Sequence, residues 1–162
     1  MLISKITQAM IAFSDGNIHD IDHFMRVWGY AKTIAELESL PLDSQRIIEA
    51  AALLHDIACP LCREKYGCVK ADAQEKEGMP LAKEFLRDMP MAEEEKERVV
   101  FLVGHHHTLS GINGIDWQIL IEADYIANAS ENGLGREDVT SFRENHFETA
   151  SGKNLLNLIF GL

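Results

Sequence analysis

The stretch Ala50-Ala51-Ala52-Leu53-Leu54-His55-Asp56 sets five small or branched apolar residues directly ahead of a histidine and a carboxylate. It reads as the buried end of a helix that starts at Asp43 or Ser44, after Pro41 has ended the one before. A carboxylate buried without a partner is costly, so Asp56 needs a cation or must cap the next turn. The histidine beside it offers a nitrogen to the same cation.

Outward from this junction, helical patterns alternate with punctuated turns. Residues 2–13 space Leu2, Ile3, Ile6, Ala9, Met10 and Phe13 helically, and Ser14-Asp15-Gly16-Asn17 breaks the run. Asp20 is the expected N-cap of a helix running to about Leu40, with Phe24, Val27, Trp28, Ala31, Ile34 and Ala35 facing inward. Residues 58–73 carry Pro60 and Gly67 and read as a loop with room for one short helical turn. Helices are expected at Gln74–Arg87 and Met91–His105, and from Trp117 to about Ala129 with Asp116 as the cap. Shorter pieces fall at Glu137–Asn145 and Asn154–Phe160. No strand pairing, repeat or linker is visible, so the expectation is an all-α fold in one domain, residues 1–162.

The totals agree with a globular chain of that kind: 162 residues, 46% hydrophobic and 25% charged, are enough for one core without staples. A formal charge of −11 gives no basic footprint, which excludes polymeric nucleic acid and an anionic membrane surface as partners. A small phosphorylated substrate stays compatible, because a bound metal and a few local cations overcome a distant field. Leu2-Ile3-Ser4-Lys5 does not open a signal-peptide core, and the three cysteines do not form a secreted framework, so the expected compartment is the cytoplasm.

Three helices each carry a donor that a structural role must otherwise explain. His23 sits on the second helix; alone it reads more readily as a satisfied side chain than as a ligand. Asp124 lies three residues after Ile121 and four after Leu120, on a core-facing stripe, where it is a ligand, a salt-bridge partner or a buried cap. With His55 and Asp56 these make a mixed nitrogen and oxygen set suited to a first-row transition metal.

The run His19-Asp20-Ile21-Asp22-His23-Phe24-Met25-Arg26-Val27, then Ala51-Ala52-Leu53-Leu54-His55-Asp56-Ile57, then Glu122-Ala123-Asp124, resembles the HD superfamily of metal-dependent phosphohydrolases. The resemblance spans about residues 17–130, with three motifs in the family's order. Lys65-Tyr66-Gly67, Gln74, Gly78-Met79-Pro80 and Gly104-His105-His106-His107-Thr108 are similar to a small bacterial subgroup. It implies a helical fold in which His23, His55, Asp56 and Asp124 bind one divalent ion: manganese, iron, cobalt, nickel or zinc. Two-metal members carry a further histidine four residues before a glycine; here Gln74 precedes Gly78 at that distance, which weighs against a second ion. His105 and His106 remain candidates for a second metal or for substrate contact, with exposed helix-end histidines as the plain alternative.

Under that resemblance the expected activity is hydrolysis of a small phosphate ester, with a nucleotide the leading substrate. Asp56 would ligate the ion and steer a proton, Arg26 would meet the phosphate from the face it shares with His23, and Lys65 would close over the substrate. Arg26 in a salt bridge and Lys65 in solvent are the structural alternatives. Cys59-Pro60-Leu61-Cys62 and Cys68 read as free thiols. A cysteine-based or metal-binding sensor is the non-catalytic alternative, and a di-iron oxygenase a second one.

Overall fold

The computed structural model describes residues 2–162; Met1, within the expected domain, lies outside them. Among the described residues there are nine helices and no strand: α1 (Leu2–Phe13), α2 (Ile18–Leu37), α3 (Leu42–Leu54), α4 (Cys59–Tyr66), α5 (Ala71–Leu86), α6 (Glu93–Val103), α7 (Ile115–Glu131), α8 (Arg136–His146) and α9 (Ala150–Phe160). The fold is all-α, as the apolar spacing requires.

Helices α2, α3 and α7 pack on one another and make the centre. α1 and α6 lean on α3, α5 pairs with α6, and α9 touches both α2 and α7. One contiguous core runs through them, including Ile34, Ile48, Leu53, Leu54, Leu102, Ile119, Leu120 and Ile126, all fully buried. Burying each such side chain stabilises the fold by about 1.5–3 kcal/mol. The 50–54 run is buried on every side because α3 is wedged between α1, α2, α6 and α7.

Several boundaries depart from the sequence reading. Asn17, not Asp20, caps α2: its side-chain oxygen accepts from the Asp20 backbone N–H at 3.2 Å, which leaves the Asp20 carboxylate for other work. Residues 58–73 are not mainly loop. α4 occupies Cys59–Tyr66, because Pro60 falls at the first turn, where its missing N–H costs nothing, and Gly67 ends the helix at φ 69°. α7 starts one residue before Asp116 and is preceded by Gly114, so Asp116 is a first-turn residue that accepts from Trp117 N and from Arg98. α5 and α9 begin before their expected starts at Gln74 and Asn154.

The site-bearing segments follow from this packing. His55 and Asp56 occupy the turn after α3, and His105 to His107 the turn after α6. Those two helices pack together, and the turns meet His23 in the second turn of α2 and Asp124 midway along α7. Gly78 lets α5 come close to α6: a Cβ there would lie 2.9 Å from Val103 Cγ1.

Candidate metal centre

Nε2 of His23 and Nε2 of His55 face each other at 3.2 Å. On the far side of each ring, the second nitrogen is already committed. His55 Nδ1 is 2.7 Å from the Ala52 carbonyl, which can only accept, so Nδ1 carries the proton and Nε2 presents a lone pair. His23 Nδ1 lies 3.0 and 3.1 Å from the two oxygens of Glu131 and donates to that carboxylate, which leaves its Nε2 bare in the neutral ring. Two lone pairs directed at one point repel unless a positive charge lies between them.

Carboxylates complete the same point. Asp56 Oδ2 lies 3.4 Å from His23 Nε2 and 3.5 Å from His55 Nε2. Asp124 Oδ1 lies 3.3 and 3.5 Å from the same two nitrogens. Ligands about 2.1 Å from a common ion stand roughly 3.0–3.4 Å apart, so these separations suit a transition metal. His23, His55 and Asp56 are a group that could hold an ion, and Asp124 joins it through both imidazoles.

The electrostatics mark the same place for positive charge. Burial works against a charge on His23, but Asp124, Asp56 and Glu131 push its pKa up to about 9. His55 moves up as well, burial again being outweighed by Asp56 and Asp124. Asp56 and Asp124 stay well below the usual carboxylate range: burial opposes this, while His55 and His106 hold Asp56 ionised and His23 and His55 hold Asp124.

Beside this cluster, His106 is fully buried at its ring nitrogen, and its Nε2 has no hydrogen-bond partner. Its Nδ1 donates to the Val103 carbonyl at 2.7 Å, so Nε2 again presents a lone pair, 3.4 Å from Asp56 Oδ1. Asp56, His106 and His107 form a second group that could hold an ion, with Asp56 shared between the two. Gln74 is buried against His107, and Glu75 takes the His107 backbone N–H at 2.9 Å and the Thr108 hydroxyl at 3.0 Å. These bonds fix the histidine turn to α5.

A cleft of about 170 Å³ opens over the cluster, lined among others by His23, Asp56, Gln74, His107, Asp124 and Glu131. His55 and His106 lie buried behind its wall, and Arg26, Lys65 and His105 point elsewhere. Arg26 is half-exposed and turns to Glu131 at 3.5 Å, because the carboxylate that orients His23 also attracts its neighbour one turn on. Lys65 lies on α4 and not on a loop, and Glu77 holds its ammonium at 2.7 Å. His105 is stacked on Phe101 and edge-on to Trp117, its Nδ1 donating to the Phe101 carbonyl at 2.7 Å. Of the three consecutive histidines it is His107 that lines the cleft, with His106 buried beside Asp56.

Glu131 is the residue the sequence reading missed. It lies seven residues after Asp124, two helical turns along the same face of α7, with Asn128 between them donating to Asp124 Oδ1 at 2.7 Å. That spacing was available in the sequence. Its pairing with His23 on another helix was not.

The sequence profile of the family described as HD domain matches residues 20–152. The chain belongs to the HD domain family. A crystal structure of a predicted HD superfamily hydrolase from an uncultured Thermotogales bacterium is similar to this HD protein, with 26% identity and a TM-score of 0.69, over 98% of this chain and 83% of the other. No curated protein matches the chain. The family match runs past the resemblance read from residues 17–130 to the first turn of α9, and none of the described helices of this HD protein is long and apolar enough to cross a membrane.

Proposed function

We propose that this HD protein is a metal-dependent phosphohydrolase that acts on a small phosphate ester, with a nucleotide as the leading substrate. The observation that supports it is the pair of imidazole Nε2 atoms, 3.2 Å apart, flanked by the carboxylates of Asp56 and Asp124. In this reading His23, His55, Asp56 and Asp124 hold one divalent ion. That ion supplies polarisation of a phosphoryl oxygen and a lowered pKa for an attacking water.

The chain's own residues do the rest. Glu131 and the Ala52 carbonyl fix the tautomers of His23 and His55, so that both present nitrogen lone pairs without reorganising. Asp56 turns Oδ2 to the two histidines and leaves Oδ1 toward His106, where it can take the proton of an attacking water. Asp56 is partly buried in the cleft, where charge interactions are less screened than on the open surface.

A second reading has a specific observation in its favour. The unpartnered Nε2 of His106, with Asp56 Oδ1 and His107 close by, suits a weaker second ion. The sensor alternative is less well supported: Cys59 and Cys62 are buried and their thiols are pushed up, chiefly by burial, so they are poor thiolate donors. An oxygenase would need the full second ligand set, and Gln74 stands where a histidine would belong.

The test is phosphate release from nucleoside mono-, di- and triphosphates by protein reconstituted in turn with manganese, iron, cobalt, nickel and zinc, beside Asp56→Ala. Turnover that vanishes in the variant together with its metal supports the reading. Turnover that persists in Asp56→Ala removes this metal site as its source, and metal-loaded wild-type protein inert on the whole panel removes nucleotides as the substrate.

A further inference from the structure

At the rim of the cleft the guanidinium of Arg63 meets the carboxylate of Asp20 in two contacts, Nη1 to Oδ1 at 3.2 Å and a close one from Nη2 to Oδ2. The acceptor is itself held in place. Asp20 stands in the first turn of α2, and its Oδ2 also accepts from the Asn17 side chain at 3.0 Å. The donor follows Cys59 by four residues on α4, so both line the same space.

Arg63 is the one arginine or lysine among the residues lining this cleft, whose carboxylates are Asp20, Asp56, Asp124 and Glu131. A guanidinium offers five donors in a planar fork, and the Asp20 pairing occupies two of them. The others remain for an anion, on a side chain that is 40% exposed. The sequence candidates for this role do not line the cleft: Arg26 pairs with Glu131 from outside it, and Lys65 is held by Glu77.

We infer that Arg63, aimed by the capped Asp20, binds the phosphoryl oxygens of the substrate at the mouth of the cleft. The inference rests on the phosphohydrolase reading, which supplies the phosphate. It assigns the fork of donors that bidentate phosphate recognition needs to a residue on α4, and it gives Asp20 a positioning role in place of the capping one.

The probe is inorganic phosphate, titrated calorimetrically into the manganese-reconstituted full chain, with metal content measured in parallel. Arg63→Ala is expected to weaken phosphate binding about ten- to a hundredfold with metal content unchanged. Arg63→Lys is expected to recover only part of this, because an ammonium is a point charge without the fork. Equal phosphate affinity in wild type and Arg63→Ala, or no phosphate binding by the wild type, overturns the assignment. Phosphate binding that depends on Arg63 without turnover of any ester keeps the assignment and overturns the hydrolase reading. Ester turnover that needs Asp56, with phosphate binding indifferent to Arg63, does the reverse.

Discussion

Oε1 of Gln74 accepts the Nε2–H of His107 at 2.8 Å. The amide cannot turn to do otherwise, since its Nε2 donates to the Val69 carbonyl at 3.0 Å. His107 is neutral at physiological pH: burial, with His106 beside it, lowers its pKa to about 4. With Asp56 and His106, this neutral imidazole makes a group that could hold a second ion, and Gln74 adds only a weak oxygen donor beside it.

Gln74→His is therefore expected to raise the bound metal from one ion per chain toward two. Elemental analysis of the reconstituted variant beside wild type checks this. A stoichiometry that does not rise would show that residue 74 is not what limits the second site.

Glu131→Gln tests the orientation of His23. The variant keeps the size of the side chain and loses the charge that fixes the Nδ1 proton, and ion affinity is expected to fall about 10–100-fold. The helical circular-dichroism signal should stay at the wild-type level. Competition with a chelator of known affinity gives the number; an unchanged value would mean that Ala52 and the two aspartates suffice.

Arg98 and Asp116 predict a pH dependence separate from the metal. Burial pushes the Asp116 carboxyl up, but the Arg98 guanidinium, at 2.7 Å through both Nε and Nη2, leaves it lowered overall. The folded state thus binds this proton less readily than the unfolded one. Its contribution is present above the ordinary carboxylate pKa and is lost as the pH falls through the folded-state value. Asp116→Asn is expected to cost about 2 kcal/mol at pH 7, or roughly 4–8 °C in Tm. Its difference from wild type should shrink toward pH 3, and thermal melts across that range would show whether it does.

Gly152→Ala tests the seating of α9. Glu122 is fully buried and accepts from Gln118 Nε2 at 2.8 Å, Glu148 N at 2.7 Å and Thr149 N at 3.0 Å, with the Thr149 hydroxyl against its other oxygen. A Cβ at residue 152 would overlap that second oxygen. Displacing a buried carboxylate from its donors is expected to cost about 2–4 kcal/mol, read as a fall in the denaturant midpoint. An unchanged midpoint would mean that the carboxylate shifts without losing its partners.

Much of this protein was legible because helices write themselves locally. The inward stripe of α2 from Phe24 to Ala35 repeats at the helical period, and all of it but the partly exposed Trp28 is buried. Trp28 is held at the edge by its indole N–H, which donates to Glu49 at 2.8 Å. Caps were less legible: Asp20 was expected to cap α2, but only the backbone turn decides which oxygen meets which N–H, and it gives that place to Asn17. α4 was obscured because Pro60 and Gly67 are breakers in the middle of a helix and ordinary residues at its two ends.

The sequence by itself determined an all-α chain and singled out His23, His55, Asp56 and Asp124 as candidates, because residue types and their places along the chain are local facts. The tertiary structure alone decided which charges stand beside them. Arg26, Lys65 and Arg63 are alike as cations in a sequence, but each is claimed by the nearest carboxylate that packing supplies: Glu131, Glu77 and Asp20. His105 and His107 are two positions apart, yet in the turn after α6 one stacks on Phe101 and the other lines the cleft. Coulomb energy and hydrogen-bond geometry depend on distances across helices, which the packing of α2, α3, α5, α6 and α7 fixes and no spacing along the chain records.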